Sequence, residues 1–263
     1  MSVRAKKHLG QHFLNDENIA QKIVNSLNLT STPNQTLLEV GGGMGMLTKY
    51  LIAAANTNQQ HLVVCEIDKE SVRYLNKTYP DLDVLDADFL EMDFETQFDL
   101  SHQITVIGNF PYNISTQIVF KIIDNVPIVP QMVGMFQKEV AERIASKHDN
   151  KVYGILSVLV QLFYEVDYLF TVHENVFKPA PNVKSAVIRF RRKANMPDCD
   201  AILLKKIVKM AFNQRRKMLN NALKSMLTPE NTPLLLPYLH LRAEQLAVKD
   251  FVVLTQIMSQ QTL

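Results

Sequence analysis

The chain has 263 residues, 47% hydrophobic and 21% charged, enough for one large domain or for a domain with a small appendage. Two cysteines, Cys65 and Cys199, exclude a disulfide framework and a cysteine metal cluster, and no metal is expected. Formal net charge is +2, yet thirteen Lys and Arg face two Asp between Lys178 and Lys224, which leaves that stretch at +11 and the remainder at −9; this segregation points to a polyanion partner for the C-terminal third.

The first residues are basic but lack the apolar run of a signal peptide, and no stretch is long enough to span a membrane, so a cytoplasmic protein is expected. Arg4 to Leu14 shows no period and reads as an arm. Its Leu9, Phe13 and Leu14 are too apolar to leave in water, so the arm should fold over a ligand crevice. Asn15 and Asp16 offer a helix cap before Ile19, Ile23, Val24 and Leu27, which fall at helical spacing.

A strand over 36–40 leads into Gly41-Gly42-Gly43-Met44-Gly45, and a helix follows from Met46. Strand, glycine loop and helix make the nucleotide-cofactor entry of a Rossmann-like fold. A dinucleotide fingerprint would need glycines at 41, 43 and 46, but position 46 is Met. Gly41, Gly43 and Gly45 instead follow the G-x-G-x-G of S-adenosylmethionine (SAM) enzymes, where glycine lets the backbone approach the cofactor closely. The strand over 61–65 ends at Glu66, which is placed to accept from ribose hydroxyls, while Asp68 caps the next helix. Cys65 is a small core residue. After a strand near 83–85, Asp86 and Asp88 compete to accept from the adenine amine of the cofactor.

The apolar run 104–107 ends at Gly108 and delivers Asn109-Phe110-Pro111-Tyr112 to the same crevice. The Asn109 side-chain oxygen and a backbone carbonyl beside Pro111 could accept both hydrogens of an exocyclic amine and so make its nitrogen nucleophilic. Tyr112 could stack on the base that carries the amine. The plainer alternative is a strand followed by a Pro-containing turn, with Tyr112 as half-buried packing. Ser115 should cap a helix through Ile123. A strand over 132–136, helices over 138–147 and 154–164, and strands over 166–172 and 185–190 follow. Phe177, in a loop stiffened by Pro179 and Pro181, is either a second aromatic face over a base or a loop anchor in the core.

Composition shifts after Arg192, which divides the chain into 1–192 and a small helical domain over 193–263. Helical spacing begins at Ala201, Pro229, Pro233 and Pro237 should break helices, and the last helix should start near Ala243. The block Asn213-Gln214-Arg215-Arg216-Lys217 sits between two apolar turns. Its three adjacent cations cannot share one helix face, so some point at solvent or phosphate.

These motifs together resemble the ribosomal RNA adenine dimethyltransferases, and among them the small-subunit branch, which dimethylates two adjacent adenines near the 3′ end of that rRNA. The matches run the whole length: residues 9–14, 38–48, 66–68, 88–90, 108–115, 176–183 and 211–219. Two positions depart from the family pattern. Phe110 stands where Leu is usual and should carry no chemistry; Gly42 replaces a usual Pro and should loosen the loop.

The resemblance implies a mostly parallel, seven-stranded, Rossmann-like SAM-dependent methyltransferase domain followed by an all-helical domain. It implies SAM binding by His12, Leu14, Gly41, Gly43, Gly45, Glu66, Asp88 and Asn109, and so favours Asp88 over Asp86. Asn109, Pro111, Tyr112 and Phe177 would form the acceptor site, with Phe177 opposite Tyr112. Arg191, Arg192, Arg215, Arg216 and Lys217 would grip small-subunit rRNA in an assembling subunit, and the enzyme is expected to be a monomer. The alternatives are the large-subunit, antibiotic-resistance branch and a non-catalytic assembly factor.

Overall fold

The computed structural model describes residues 3–29, 35–99 and 103–259. The arm is short of regular structure but not without it. A 3-10 turn at Lys7–Leu9 precedes strand β1 (Phe13–Leu14). Helix α1 (Glu17–Val24) starts as expected, with the Asp16 carboxylate accepting the Ile19 amide. Then come β2 (Gln35–Val40), α2 (Thr48–Asn58), β3 (His61–Glu66), α3 (Lys69–Thr78), β4 (Asp83–Asp86), α4 (Phe94–Gln97), β5 (Gln103–Asn109), α5 (Ser115–Asp124) and β6 (Gln131–Gln137). The remainder is α6 (Lys138–Ala145), α7 (Ile155–Phe163), β7 (Tyr164–Val172), β8 (Phe177–Lys178), β9 (Ser185–Arg192), α8 (Ala201–Asn213), α9 (Leu219–Ala222), α10 (Thr232–Leu239) and α11 (Val248–Ser259).

Two compact units emerge: Met1–Ala141 with Asp167–Arg192, and Glu142–Val166 with Lys193–Leu263. One division falls at Arg192, where the composition shifts. The segment Glu142–Val166, which the sequence reading kept in the first domain, groups with the C-terminal helices. The reason is α7, where Leu156, Ser157, Val158, Leu159, Val160 and Leu162 are all buried. A helix buried nearly all round needs partners on several sides, and α8 and α11 supply them.

In the first unit the sheet order is β4-β3-β2-β5-β6-β9-β7. Strands β2 to β6 are mutually parallel and β9 runs antiparallel to β6. Five of the six residues of β2 and of β3 are buried, the pattern of strands covered on both faces. The chain steps outward from β2 through β3 to β4, then returns to the other side of β2 with β5. The carboxyl ends of β2 and β5 therefore flank the topological switch point, where open α/β sheets bind ligands. Gly108 lets these strands close there, since a Cβ on it would stand 2.5 Å from the Val40 carbonyl oxygen.

Several expectations need correction. Ser115 is the first helical residue rather than the cap, and its hydroxyl donates to the Tyr112 carbonyl at 3.2 Å. Pro233 and Pro237 lie within α10. Pro233 sits in the first turn, where no amide partner is lost, and Pro237 forgoes one bond. Ala243 opens a 3-10 turn, and α11 begins only at Val248.

Candidate active site

The strand ends and the arm enclose one cavity, lined by Leu9 to Phe13, Val40, Gly41, Gly43, Cys65 to Ile67, Ala87 to Leu90 and Asn109 to Ile114. His12, Gly41, Gly43, Glu66, Asp88, Asn109, Pro111 and Tyr112, all singled out in the sequence, thus meet in one place. Leu14, Gly45 and Phe177 lie outside the lining. Leu14 pairs with Phe177 through β1 and β8, and both side chains are buried in the hydrophobic core. Gly45 turns toward the Tyr79 ring.

The glycine loop is held tightly. Gly43 has φ +56°, and a Cβ there would meet the Phe13 ring at 3.0 Å, so the arm seals the loop where glycine leaves room. Gly42 fits closely beneath it: a Cβ would stand 2.5 Å from Val64 Cγ1, and the Gly42 carbonyl accepts the Gly45 amide at 2.8 Å. Below the loop, Thr48 Oγ1 donates to Glu39 Oε2 at 2.6 Å. Burial pushes the Glu39 carboxyl up to about 7, the Thr48 hydrogen bond works against the rise, and the nearby Glu66 charge adds to it.

Glu66, 4% exposed, accepts the Gly43 amide on one oxygen and the Asp68 amide on the other, both at 2.8 Å. Burial raises its pKa against those hydrogen bonds. Each oxygen keeps a lone pair for a further donor. Asp68 caps α3 through the Glu70 amide, as read from sequence. It also anchors the arm, since Lys6 Nζ and Gln11 Nε2 both donate to its carboxylate. Burial favours the neutral acid, but Lys6, the Glu70 amide and Gln11 hold its pKa below the usual range. Lys6 and Gln11 escaped the sequence reading, because a clamp between an aperiodic arm and a helix cap leaves no local pattern.

Asn109 Nδ2 donates to the His12 carbonyl at 2.9 Å. A carbonyl only accepts, so the amide orientation is fixed and Oδ1 is left for an incoming donor. His12 Nδ1 meets the Pro179 carbonyl at 2.8 Å, which requires Nδ1 to carry hydrogen. The His12 ring stacks on Tyr112 with centroids 5.4 Å apart at 29°. Tyr112 Oη bonds Ser185 Oγ, and burial is the main cause of its raised pKa. The Pro111 carbonyl accepts the Ile114 amide at 3.2 Å. The Phe110 side chain is 1% exposed and edge-on to Phe136, with centroids 5.1 Å apart.

The family model described as ribosomal RNA adenine dimethylase matches residues 2–259. The chain belongs to the ribosomal RNA adenine dimethylase family. It is 51% identical over 261 residues to a ribosomal RNA small subunit methyltransferase A from Cytophaga hutchinsonii, covering 98% of each chain. A protein of the same name from Bacteroides fragilis is 48% identical over 98% of this chain and 93% of its own. Among solved structures, a dimethyladenosine transferase from Plasmodium falciparum superposes with TM-score 0.79 at 24% identity, covering 95% of this chain and 98% of that one. The 23S rRNA methyltransferase ErmE gives 0.72 at 22% identity, over 94% and 100%. At those identities the two structures speak for the fold alone.

As a dimethylase of this family the protein is a SAM-dependent rRNA adenine methyltransferase. The cavity suits that cofactor. A Cβ on Gly41 would meet nothing within 4 Å, so backbone and open space adjoin there, and Glu66 has acceptor capacity in reserve. The Cys65 thiol at the cavity wall is pushed up to about 12 by burial and is no competing nucleophile.

The expected RNA-binding cations differ in what they already bond. Arg192 donates to the Val126 carbonyl at 2.9 Å, to the Pro127 carbonyl, and to Gln103 Oε1 at 2.9 Å. Arg191 reaches Asp167 at 3.2 Å. In the second unit, Arg215 pairs with Glu244 at 2.5 Å and donates to the Asn150 carbonyl at 3.3 Å. Arg216 and Lys217 are exposed. Arg215, Arg216 and Lys217 lie in a non-helical turn between α8 and α9, so the constraint of a shared helix face does not apply. Among the described residues no helix is long and apolar enough to cross a membrane, and no cluster of ligating side chains could hold a metal.

Proposed function

We propose that this chain dimethylates the N6 amines of two adjacent adenines near the 3′ end of small-subunit rRNA, acting as a monomer on assembling subunits in the cytoplasm. The observation that carries the reading is the fixed Asn109 amide, which lines the cavity at the end of β5 with Nδ2 committed to the His12 carbonyl and Oδ1 left as an acceptor. SAM supplies an electrophilic methyl group on a sulfonium centre. The residues of the chain divide the remaining work. The glycine loop, Glu66 and Asp88 hold the cofactor, and the backbone of the arm closes over it at His12.

Asn109 Oδ1 accepts one hydrogen of the adenine amine. The Phe110 carbonyl, beside Pro111, accepts the other, because the Pro111 carbonyl is already engaged by Ile114. In the first transfer, holding both hydrogens draws the nitrogen lone pair out of conjugation and aims it at the methyl group; in the second, the monomethylated amine has one hydrogen left, which one of the two acceptors holds. Positioning and preorganised acceptors supply the acceleration, without a strong general base. One face of Tyr112 is taken by His12, and the other is offered to the flipped base. Phe177, buried in the core and paired with Leu14 through β1 and β8, anchors the arm that reaches the site. Arg216 and Lys217 contact rRNA phosphates, with Arg215 bracing the turn that presents them.

The test is labelled methyl transfer from SAM to small and large subunits lacking native methylation, with products mapped by nuclease digestion and mass spectrometry. The expected product is dimethyladenosine at two adjacent positions near the 3′ end of small-subunit rRNA. Label confined to large subunits would overturn the substrate reading, and no label with SAM still bound would overturn the catalytic one.

A further inference from the structure

Lys121 lies on α5, two turns past the Asn109–Tyr112 segment, and does not itself line the cavity. Its ammonium donates to the Leu90 carbonyl at 2.9 Å and to the Met92 carbonyl. It also lies over two rings, 5.6 Å from the centroid of Phe89 and 5.3 Å from that of Phe94. The segment it grips is the turn after β4. There the Asp88 carbonyl accepts the Glu91 and Met92 amides at 3.1 and 3.0 Å, and Asp88 Oδ1 accepts the Leu90 amide at 2.8 Å. Asp88 and Phe89 form the cavity wall on that side.

The turn is too short to hold itself. Three internal bonds orient its amides, but the Leu90 and Met92 carbonyls point out of it and need donors, as buried carbonyls do. A neutral amide could donate to both carbonyls, but an ammonium has three hydrogens and also attracts the faces of both flanking rings. One side chain therefore satisfies both carbonyls, clamps Phe89 against Phe94, and ties the turn to the helix that follows the acceptor segment.

We propose that Lys121 is a positioning residue for cofactor recognition, holding Asp88 and Phe89 in register so that the site selects an adenine ring by its exocyclic amine. The inference rests on the reading of Asp88 as the acceptor for that amine. Lys121 touches neither reacting atom, so its loss acts on SAM binding and on base selectivity, and leaves the methyl-transfer step and the affinity for rRNA in place.

The experiment uses the full chain with Lys121→Met, Lys121→Arg and Asp88→Ala. Calorimetric titration measures S-adenosylhomocysteine and S-inosylhomocysteine, which lacks the amine; kinetics on small subunits give KM for SAM, kcat and KM for the subunit. For Lys121→Met the expected result is about tenfold weaker S-adenosylhomocysteine binding, with the preference over the inosine analogue reduced by a similar factor. Its kcat at saturating SAM and its KM for subunits should stay within about twofold of wild type. Lys121→Arg, which can still donate to both carbonyls, should recover most of the affinity. Asp88→Ala should lose the same selectivity. If Asp88→Ala loses selectivity and both Lys121 variants keep it, the Lys121 role is overturned. If Asp88→Ala keeps it, the reading of Asp88 falls first. A folded Lys121→Met that loses kcat and subunit affinity in proportion to SAM affinity would show general loosening and would also overturn the proposal.

Discussion

Asn109 carries the densest argument in the molecule, because a single hydrogen bond fixes the orientation of its amide. With Nδ2 committed to the His12 carbonyl, Oδ1 is the end of the amide left to accept a hydrogen. Asn109→Ala removes that acceptor and touches none of the glycine-loop bonds. We expect kcat to fall on the order of 10²- to 10³-fold while the dissociation constant for SAM changes less than about tenfold, read by single-turnover transfer and calorimetry. Glu39 offers a second test at this scale. Its carboxyl titrates near 4.5 when free and at about 7 in the folded chain, with burial as the first cause. The folded state therefore holds a proton that the unfolded state has released between those values. The resulting stability is fully present below about pH 4.5 and is lost as pH rises through about 7, a contribution of roughly 3 kcal/mol at most. Glu39→Gln keeps an acceptor for Thr48 and cannot titrate. Urea unfolding at pH 5 and pH 7.5 should show wild type losing more stability than the variant as pH rises. Equal slopes would mean that Glu39 titrates normally.

Among the elements, β6 shows how the departure from family pattern at Phe110 is accommodated. A Cβ on Gly134 would lie 2.2 Å from Phe110 Cε2 and 2.7 Å from the Phe136 ring, so the larger aromatic occupies space that glycine leaves. Gly134→Ala should destabilise the protein by about 1–3 kcal/mol, and adding Phe110→Leu should recover part of the loss, measured as coupling in a double-mutant cycle. This also marks where sequence reading succeeds and where it stops. The strands β2, β3 and β5 were legible because runs such as Leu62–Cys65 are too apolar to be anything but doubly covered. The Asp68 cap was legible because capping is local. The pairing of β1 with β8 was not, since two residues are too few to show alternation and their partner is more than 160 residues away. The placement of α7 was likewise hidden: its periodicity marks a helix but does not name the helices that cover it. At the site, the strand-end residues could be read because fold topology fixes where strand ends go. The Lys6 and Gln11 clamp on Asp68 depends on side chains meeting across the chain, which no spacing encodes.

For the whole molecule, the charge segregation read from the sequence translates into a salt dependence, and the structure sorts which cations should carry it. Each phosphate neutralised by Lys or Arg releases counterions, so log K falls with log salt at slightly under one per phosphate. A cation already bonded within the protein has less to offer. Arg192 spends its guanidinium on Val126, Pro127 and Gln103, and Arg191 is paired with Asp167. Their replacement by alanine should lower stability more than it lowers the salt slope. Arg216 and Lys217 are exposed in the turn after α8, and replacing either should reduce the slope by roughly one while leaving the unfolding midpoint nearly unchanged. Arg215 lies between these cases: its pairing with Glu244 and Asn150 braces the turn. Arg215→Ala should weaken binding by misplacing its two neighbours, and Glu244→Gln should reproduce part of that loss although it removes a negative charge. Binding of small-subunit rRNA titrated from about 50 to 300 mM salt, alongside thermal unfolding of each variant, separates the three behaviours. A slope reduced by Arg192→Ala and unmoved by Arg216→Ala or Lys217→Ala would reverse the assignment and move the RNA-binding face to the first unit.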